Sequence, residues 1–182
     1  MGLDISKGEV EHANNRAQMR HETNVSFIHG DMEKMEFEDG TFDKVISNGA
    51  FCLAPSKAAA FTEVMRVLKP GGKFSVCCTT LQEQLEEGVS WPVCMRVFMP
   101  LQDAVPMLED IGFQDVEVDL SDPLMTFEME FDPEDGAQEV EFDVENRGRK
   151  RIHVGSEDFK HLENYDMNKL CARVILHGRK PL

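Results

Sequence analysis

The chain has 182 residues, 41% of them hydrophobic, and a formal net charge of −15, which is the balance of one soluble domain with its own core. So acidic a surface repels phosphate backbones and argues against a nucleic-acid partner. No apolar run is long enough to span a membrane, and the first residues form no signal-peptide pattern. Five cysteines without regular spacing argue against a disulfide framework and favour a cytoplasmic protein.

The first half of the sequence alternates strands with helices. Ser6 and Glu9 form a capping box that predicts a helix start directly after a short first strand. Ser56 predicts the start of a second helix, which carries one apolar stripe. The predicted strands cover residues 3–5, 25–28, 44–47 and 74–78. This rhythm predicts an α/β fold with a parallel sheet and crossover helices.

The second half adds one more helix and then changes pattern. Asp103 is the predicted cap of a helix that reaches Ile111, with Pro106 in its first turn and Gly112 at its end. Residues 125–131 and 140–144 then alternate strictly between apolar and polar on either side of a turn at 133–136, which predicts an antiparallel hairpin. We expect a single domain over residues 1–182. Its predicted parts are a core at 1–120, a β-rich insertion at 121–168 and a last strand within 169–182.

Several predicted strands end in residues suited to a nucleotide-like ligand, which binds at the carboxyl ends of parallel strands. Asp4 can accept hydrogen bonds from both hydroxyls of a ribose. Asp31 can accept from an exocyclic amine, and the backbone amide of Met32 can meet a ring nitrogen. Asn48 and Gly49 leave room near the middle of the sheet. A single aspartate after a strand is more often a turn former, so each signal is weak by itself.

Four segments, in this order, resemble class I S-adenosylmethionine-dependent methyltransferases. They are residues 30–48 (GDMEKMEFEDGTFDKVISN), 66–73 (RVLKPGGK), 109–113 (EDIGF) and 173–181 (RVILHGRKP). The resemblance covers residues 2–120 and 170–181. It implies a Rossmann-like, mostly parallel sheet, with the antiparallel hairpin inserted before the last strand.

The resemblance also implies S-adenosylmethionine as the cofactor. Its ribose would lie on Asp4, its adenine against Ile5, Asp31 and Met32, and its amino acid end near Asn48, with Gly49 beside it. Transfer in this family is an in-line displacement at a methyl carbon. Catalysis therefore comes mainly from positioning and desolvation, and no general base is implied.

The acceptor side is less defined. Residues 46–53 are similar to arsenite methyltransferases, which bind trivalent arsenic through several thiolates, and Cys94 falls near one such position. The cysteine expected directly after Asn48 is, however, Gly49, and a free cysteine is more often a small buried hydrophobe. Trp91 lies in a span, residues 89–100, that either walls a substrate pocket or only covers the sheet. We predict no metal site.

One family motif has no counterpart in this sequence. The family begins with a strand and a Gly-x-Gly-x-Gly loop that approaches the methionine part of the cofactor. We therefore expect an N-terminally incomplete sheet, in which the strands at Leu3 and Val45 each expose an unpaired edge. Three explanations stay open: the chain is a fragment, the two strands close on each other, or another chain supplies a strand by swapping or dimerisation.

Two functional hypotheses follow from these patterns. One is methyl transfer from S-adenosylmethionine to a small-molecule acceptor, which the absent loop would impair in a truncated chain. The other is a non-catalytic remnant that binds a protein partner, for example through the acidic hairpin. A nicotinamide dehydrogenase would also place Asp4 on a ribose, but residues 30–48 do not resemble that family. The acceptor atom and the oligomeric state stay open.

Overall fold

A computed structural model describes residues 1–121, 127–131, 137–142, 150–155 and 165–182. For Val93 and for residues 127–131, 137–142 and 150–155 it describes the backbone alone. The strands are β1 (Gly2–Asp4), β2 (Phe27–His29), β3 (Phe42–Asn48), β4 (Leu68–Leu81), β5 (Gln114–Asp119), β6 (Phe127–Phe131), β7 (Ala137–Phe142), β8 (Lys150–Gly155) and β9 (Cys171–Arg179). The helices are α1 (Lys7–Met19), α2 (Lys57–Val67), α3 (Val93–Arg96), α4 (Leu101–Ile111) and α5 (Met167–Leu170), with a 3₁₀ turn at Phe51–Leu53.

Both predicted serine caps are confirmed. Ser6 Oγ accepts from the Glu9 amide at 3.3 Å, and Ser56 Oγ accepts from the Ala59 amide at 3.2 Å. The first cap differs from a full capping box, because the Ser6 amide donates to Asp4 Oδ1 at 2.8 Å. Asp4 thus takes the part that the sequence assigned to Glu9.

Helix α4 starts earlier than predicted. Pro100 is its N-cap, with φ of −57°, so Asp103 lies in the first turn and Pro106 lies inside the helix. The Asp103 cap was wrong because Pro100 supplies an extended residue directly before the helix, and an acid in the first turn is still favoured by the helix dipole. Gly112 ends the helix as predicted, in a left-handed conformation with φ of 105°.

The strands in the described part of the chain form three sheets. The largest has the order β3-β4-β9-β5, in which β3 and β4 are parallel and β9 runs antiparallel to both of its neighbours. Strands β1 and β2 form a parallel pair, and β6, β7 and β8 form an antiparallel sheet. The predicted hairpin is confirmed in its β6–β7 pairing, while its outer ends, Met125 and Val144, lie outside the described residues.

The idea that the strands at Leu3 and Val45 close on each other was wrong. Among the described residues, β1 pairs with β2 and β3 pairs with β4, in two separate sheets. Ile46 on β3 is 81% exposed, and Ile5, just after β1, is 71% exposed. Both strands therefore keep an edge that the described chain does not pair.

The main core lies between the large sheet and helices α2 and α4. Its fully buried side chains include Phe61, Val64, Val76, Leu108, Val174 and Leu176. Each such burial stabilises the fold by about 1.5–3 kcal/mol. A chain of ring contacts crosses this core, with centroid distances of 4.8, 5.4 and 4.6 Å along Phe51, Phe61, Phe74 and Phe113.

Candidate functional site

The carboxyl ends of β1 and β2 bring two of the predicted acids to one edge. Asp4 pairs with His29 across the two strands, and the Gly30 amide donates to the Asp4 carbonyl at 2.9 Å. Asp31 follows directly. A Cβ on Gly30 would lie 2.5 Å from Leu3 Cδ1, so only glycine fits there without a shift of Leu3. The two carboxylates therefore emerge from neighbouring parallel strands.

The Asp4 and Asp31 carboxylates each accept a hydrogen bond from a backbone amide two residues later and so stabilise a turn. Asp4 Oδ1 accepts from the Ser6 amide and Asp31 Oδ1 accepts from the Glu33 amide, both at 2.8 Å. Both residues are exposed. Because a carboxylate offers about four acceptor positions on two oxygens, each can hold its turn and still accept from a ligand. The turn-forming interpretation and the ligand interpretation are thus compatible.

The apolar candidates beside these acids differ in environment. Ile5 presents an apolar side chain to solvent, whereas Met32 is half-buried against the main core. An exposed isoleucine directly after a strand end gives a flat ring a surface to lie on. Met32, anchored in the core, fixes the position of the backbone around Asp31.

The end of β3 provides open space. The Gly49 amide donates to the Cys77 carbonyl at 2.9 Å, which continues the pairing of Asn48 with Cys77. Gly49 has φ of 77°, and a Cβ placed on it would meet no atom within 4 Å. Positive φ favours glycine at this position, and the surrounding space is free for a ligand. Asn48 is exposed beside it.

The segment after β2 is clamped onto α2 by Arg66, a residue that the sequence reasoning missed. The Glu63 carboxylate accepts from Arg66 Nε and Nη2, both at 2.8 Å. The guanidinium also donates to the Met35 carbonyl at 2.7 Å, the Phe37 carbonyl at 2.6 Å and Asp39 Oδ1 at 2.8 Å. All five N–H groups of the guanidinium thus have an acceptor.

The same clamp includes a backbone contact to Glu63. The Met35 amide donates to Glu63 Oε2 at 2.6 Å. The hydrogen bond from Arg66 is the largest cause that lowers the pKa of the Glu63 carboxyl, so the pair is ionised at neutral pH. Glu63 and Arg66 lie three residues apart on one helix, and this spacing was the signal in the sequence for their ion pair. The contacts of Arg66 to the distant Met35 and Phe37 carbonyls had no such signal.

Trp91, one of the two predicted substrate residues, packs inside a second apolar cluster. It is 5% exposed, its ring centroid lies 4.7 Å from that of Tyr165, and its indole N–H donates to the Glu86 carbonyl at 2.9 Å. Leu170 and Met95 are buried in the same cluster. These contacts explain why Trp91 is buried in this cluster. Its role in the wall of a substrate pocket stays a prediction.

The cysteines are mostly poor ligands. Cys94 is exposed on α3, although partial burial of its thiol raises its pKa. Burial raises the pKa of Cys78 to about 12 and that of Cys171 to about 11, so both thiols stay protonated at neutral pH. Within the described part of the chain, no three His, Cys, Asp or Glu side chains are grouped to hold a metal ion.

Residues 1–122 match a family model described as a methyltransferase domain. The chain belongs to the class I S-adenosylmethionine-dependent methyltransferase family. A sterol 24-C-methyltransferase of Kluyveromyces lactis is 36% identical over 88 residues, which are 48% of this chain and 24% of that protein. An arsenite methyltransferase of Halobacterium salinarum is 26% identical over 137 residues, or 72% of this chain and 35% of that protein.

Solved methyltransferases share the fold. Phosphoethanolamine N-methyltransferase 2 of Haemonchus contortus, in complex with S-adenosyl-L-methionine, superimposes with a TM-score of 0.71 at 19% identity. The match covers 100% of this chain and 43% of that one. The chain therefore spans only a part of these relatives. None of the described helices is both long and apolar enough to cross a membrane.

Proposed function

We propose that this chain binds S-adenosylmethionine and serves methyl transfer to a small-molecule acceptor. The observation that carries the proposal is the pair of exposed carboxylates, Asp4 and Asp31, at the ends of two paired parallel strands. The family membership supports the same donor. Two properties of these residues suit the donor: Asp4 and Asp31 are exposed, and the space beside Gly49 is open.

The proposed contacts follow the chemistry of each group. Asp4 accepts from the ribose hydroxyls, Asp31 and the Met32 amide meet the adenine edge, and Ile5 covers its face. The amino acid end lies toward Asn48 and Gly49. The donor, when bound, supplies a methyl group on a positively charged sulfur, which is a good leaving group. The chain's own residues contribute orientation and exclusion of water.

The acceptor is proposed only as a small molecule. The relatives named above are a sterol 24-C-methyltransferase, an arsenite methyltransferase and a phosphoethanolamine N-methyltransferase, so their names give acceptors of different chemistry. Arsenite is the less favoured acceptor for this chain, because Gly49 stands where a thiol is needed and Cys78 and Cys171 stay protonated. We place the reaction in the cytoplasm.

A non-catalytic, partner-binding role is the alternative, and two observations favour it. The β1 and β3 edges are unpaired among the described residues, and such edges recruit strands from other chains, including a second copy. The β6–β7 register also pairs Glu128 with Glu141 and Glu130 with Glu139, and such a concentration of acidic residues in one hairpin suits a basic partner.

Titration calorimetry of the chain with S-adenosylhomocysteine tests the proposal. The Asp4→Asn variant keeps an oxygen for the Ser6 amide but loses the charge that strengthens hydrogen bonds to the ribose. We expect its affinity to fall roughly tenfold to a hundredfold, since hydrogen bonds to charged groups contribute about 1.5–3 kcal/mol. Asp110→Asn, an exposed acid on α4, is the control and should bind like the parent.

Two outcomes would count against the proposal. If Asp4→Asn bound S-adenosylhomocysteine as tightly as the parent chain, Asp4 would not be a ribose ligand. A folded parent chain that binds neither S-adenosylmethionine nor S-adenosylhomocysteine would favour the partner-binding alternative instead.

A further inference from the structure

The first turn of α2 is held from two different sides. Glu33 Oε1 accepts from the Ser56 amide at 2.7 Å, and Glu33 lies two residues after Asp31. Lys57 Nζ donates to the Val97 carbonyl at 2.6 Å and to the Ala54 carbonyl. Ser56, the N-cap of α2, therefore touches the donor segment (residues 31–35), and Lys57, the first residue of α2, touches the cover segment (residues 89–100).

These contacts exceed what the helix end itself requires. Ser56 Oγ already caps the helix through the Ala59 amide at 3.2 Å. The Lys57 ammonium contributes nothing to that cap, because both of its acceptors are carbonyls outside α2. Its contacts join the 3₁₀ turn after β3 to the cover segment, which has its own small apolar cluster around Trp91.

The environment makes the lysine contacts strong. Lys57 is half-buried, and desolvation is the first cause that lowers its pKa, while the Glu33 carboxylate opposes that shift. A poorly hydrated ammonium depends on its protein acceptors more than an exposed one does. Ser56 and Lys57 are neighbours in the chain, so the contact to Glu33 and the contact to the Val97 carbonyl lie on adjacent residues.

We propose that Lys57 is a positioning residue that couples the donor segment to the cover segment. Binding of the donor at Asp31 and Met32 orders the donor segment, Glu33 fixes Ser56, and Lys57 then holds the cover segment over the site. The proposal rests on the proposed function. In this proposal the N-terminus of α2 connects cofactor binding to the enclosure of the acceptor.

Hydrogen exchange measured by mass spectrometry tests the link in the full chain, with S-adenosylhomocysteine as the probe. Lys57→Met keeps the length and apolar stem of the side chain but removes the donor. We expect exchange in residues 89–100 to rise about tenfold in the free protein, as expected when about one charged hydrogen bond is lost. Lys57→Arg, which can donate to both carbonyls, should restore the protection.

The coupling itself has a separate readout. In the parent chain the probe should slow exchange in both segments. In Lys57→Met it should still slow exchange in residues 31–35 but no longer in residues 89–100. Lys69→Met is the matched control, because Lys69 pairs with Asp43 at 2.9 Å on the surface just past the other end of α2. It should behave like the parent in both segments.

The result that overturns the inference is equal protection of residues 89–100 in Lys57→Met and in the parent. If the probe does not bind the parent, the proposed function fails, and the free-protein comparison alone decides whether Lys57 holds the cover segment. If Lys57→Met does not fold, Lys57→Gln, which keeps a shorter amide donor, takes its place and should show an intermediate loss.

Discussion

Replacement of Arg66 is the sharpest test of how the donor segment is held. Lysine keeps the charge but has three donors on a single nitrogen, so Arg66→Lys cannot reproduce five contacts made in one plane. The contacts to the Met35 and Phe37 carbonyls and to Glu63 are partly buried. The ion pair to Asp39 adds little, because the Asp39 side chain is 80% exposed.

The expected loss follows from those contacts. About two partly buried hydrogen bonds at roughly 1–1.5 kcal/mol each give about 2–3 kcal/mol of unfolding free energy. For a chain of this size that shifts the Tm by roughly 5–10 °C. Urea unfolding of the parent and Arg66→Lys measures the difference, provided that the m value is unchanged.

Lys69→Met is again the matched control. The Lys69 side chain is 47% exposed and its partner Asp43 is 80% exposed, so that pair should contribute less than about 1 kcal/mol. The reasoning about Arg66 would be refuted if Arg66→Lys unfolded at the same urea concentration as the parent or as Lys69→Met.

Three further predictions concern Glu63, Gly49 and Ile46. The pKa of Glu63 is lower in the folded state than its ordinary value of 4.5, so its ionised form should stabilise the fold fully above about pH 4.5. This stabilisation should be lost as the pH falls through the folded-state pKa, and urea titrations should show a smaller loss of stability at acid pH in Arg66→Met than in the parent. Gly49→Ala should lose about 1–2 kcal/mol of stability from its φ of 77° alone, since a Cβ there meets no neighbour, and a much larger loss would contradict the open space. Ile46→Asp, at a position 81% exposed, should leave stability within about 0.5 kcal/mol but reduce any self-association seen by sedimentation.

Local signals in the sequence predicted the elements well. The serines at 6 and 56 cap their helices because a side-chain oxygen three residues before a free amide acts without help from the rest of the fold. The bounds of β4 were missed, since the strand extends over Leu68–Leu81 instead of residues 74–78. Its extra residues owe their pairing to β3 and β9, which no local pattern reveals.

The candidate site was predictable only where a strand end carried a polar residue. Asp4 and Asp31 follow from that rule, and the structure brings them to one edge. Arg66 and Lys57 do not follow from it, because their acceptors include backbone carbonyls 29 and 40 residues away in the chain. Backbone carbonyls have no sequence signature, so such contacts appear only once the loops are in place.

The edge of β3 that no described strand pairs lies next to the open space at Gly49, because Gly49 directly follows β3. Any strand that pairs along this edge would run beside Asn48 and hold its backbone in place before the donor binds, so we expect pairing and donor binding to favour each other. With a second copy as the pairing chain, the apparent affinity for S-adenosylhomocysteine should rise with protein concentration, and Ile46→Asp should abolish that rise. An affinity that stays constant across a hundredfold range of protein concentration would show that the second copy contributes nothing to the site, and that the exposed β3 edge acts independently of the donor.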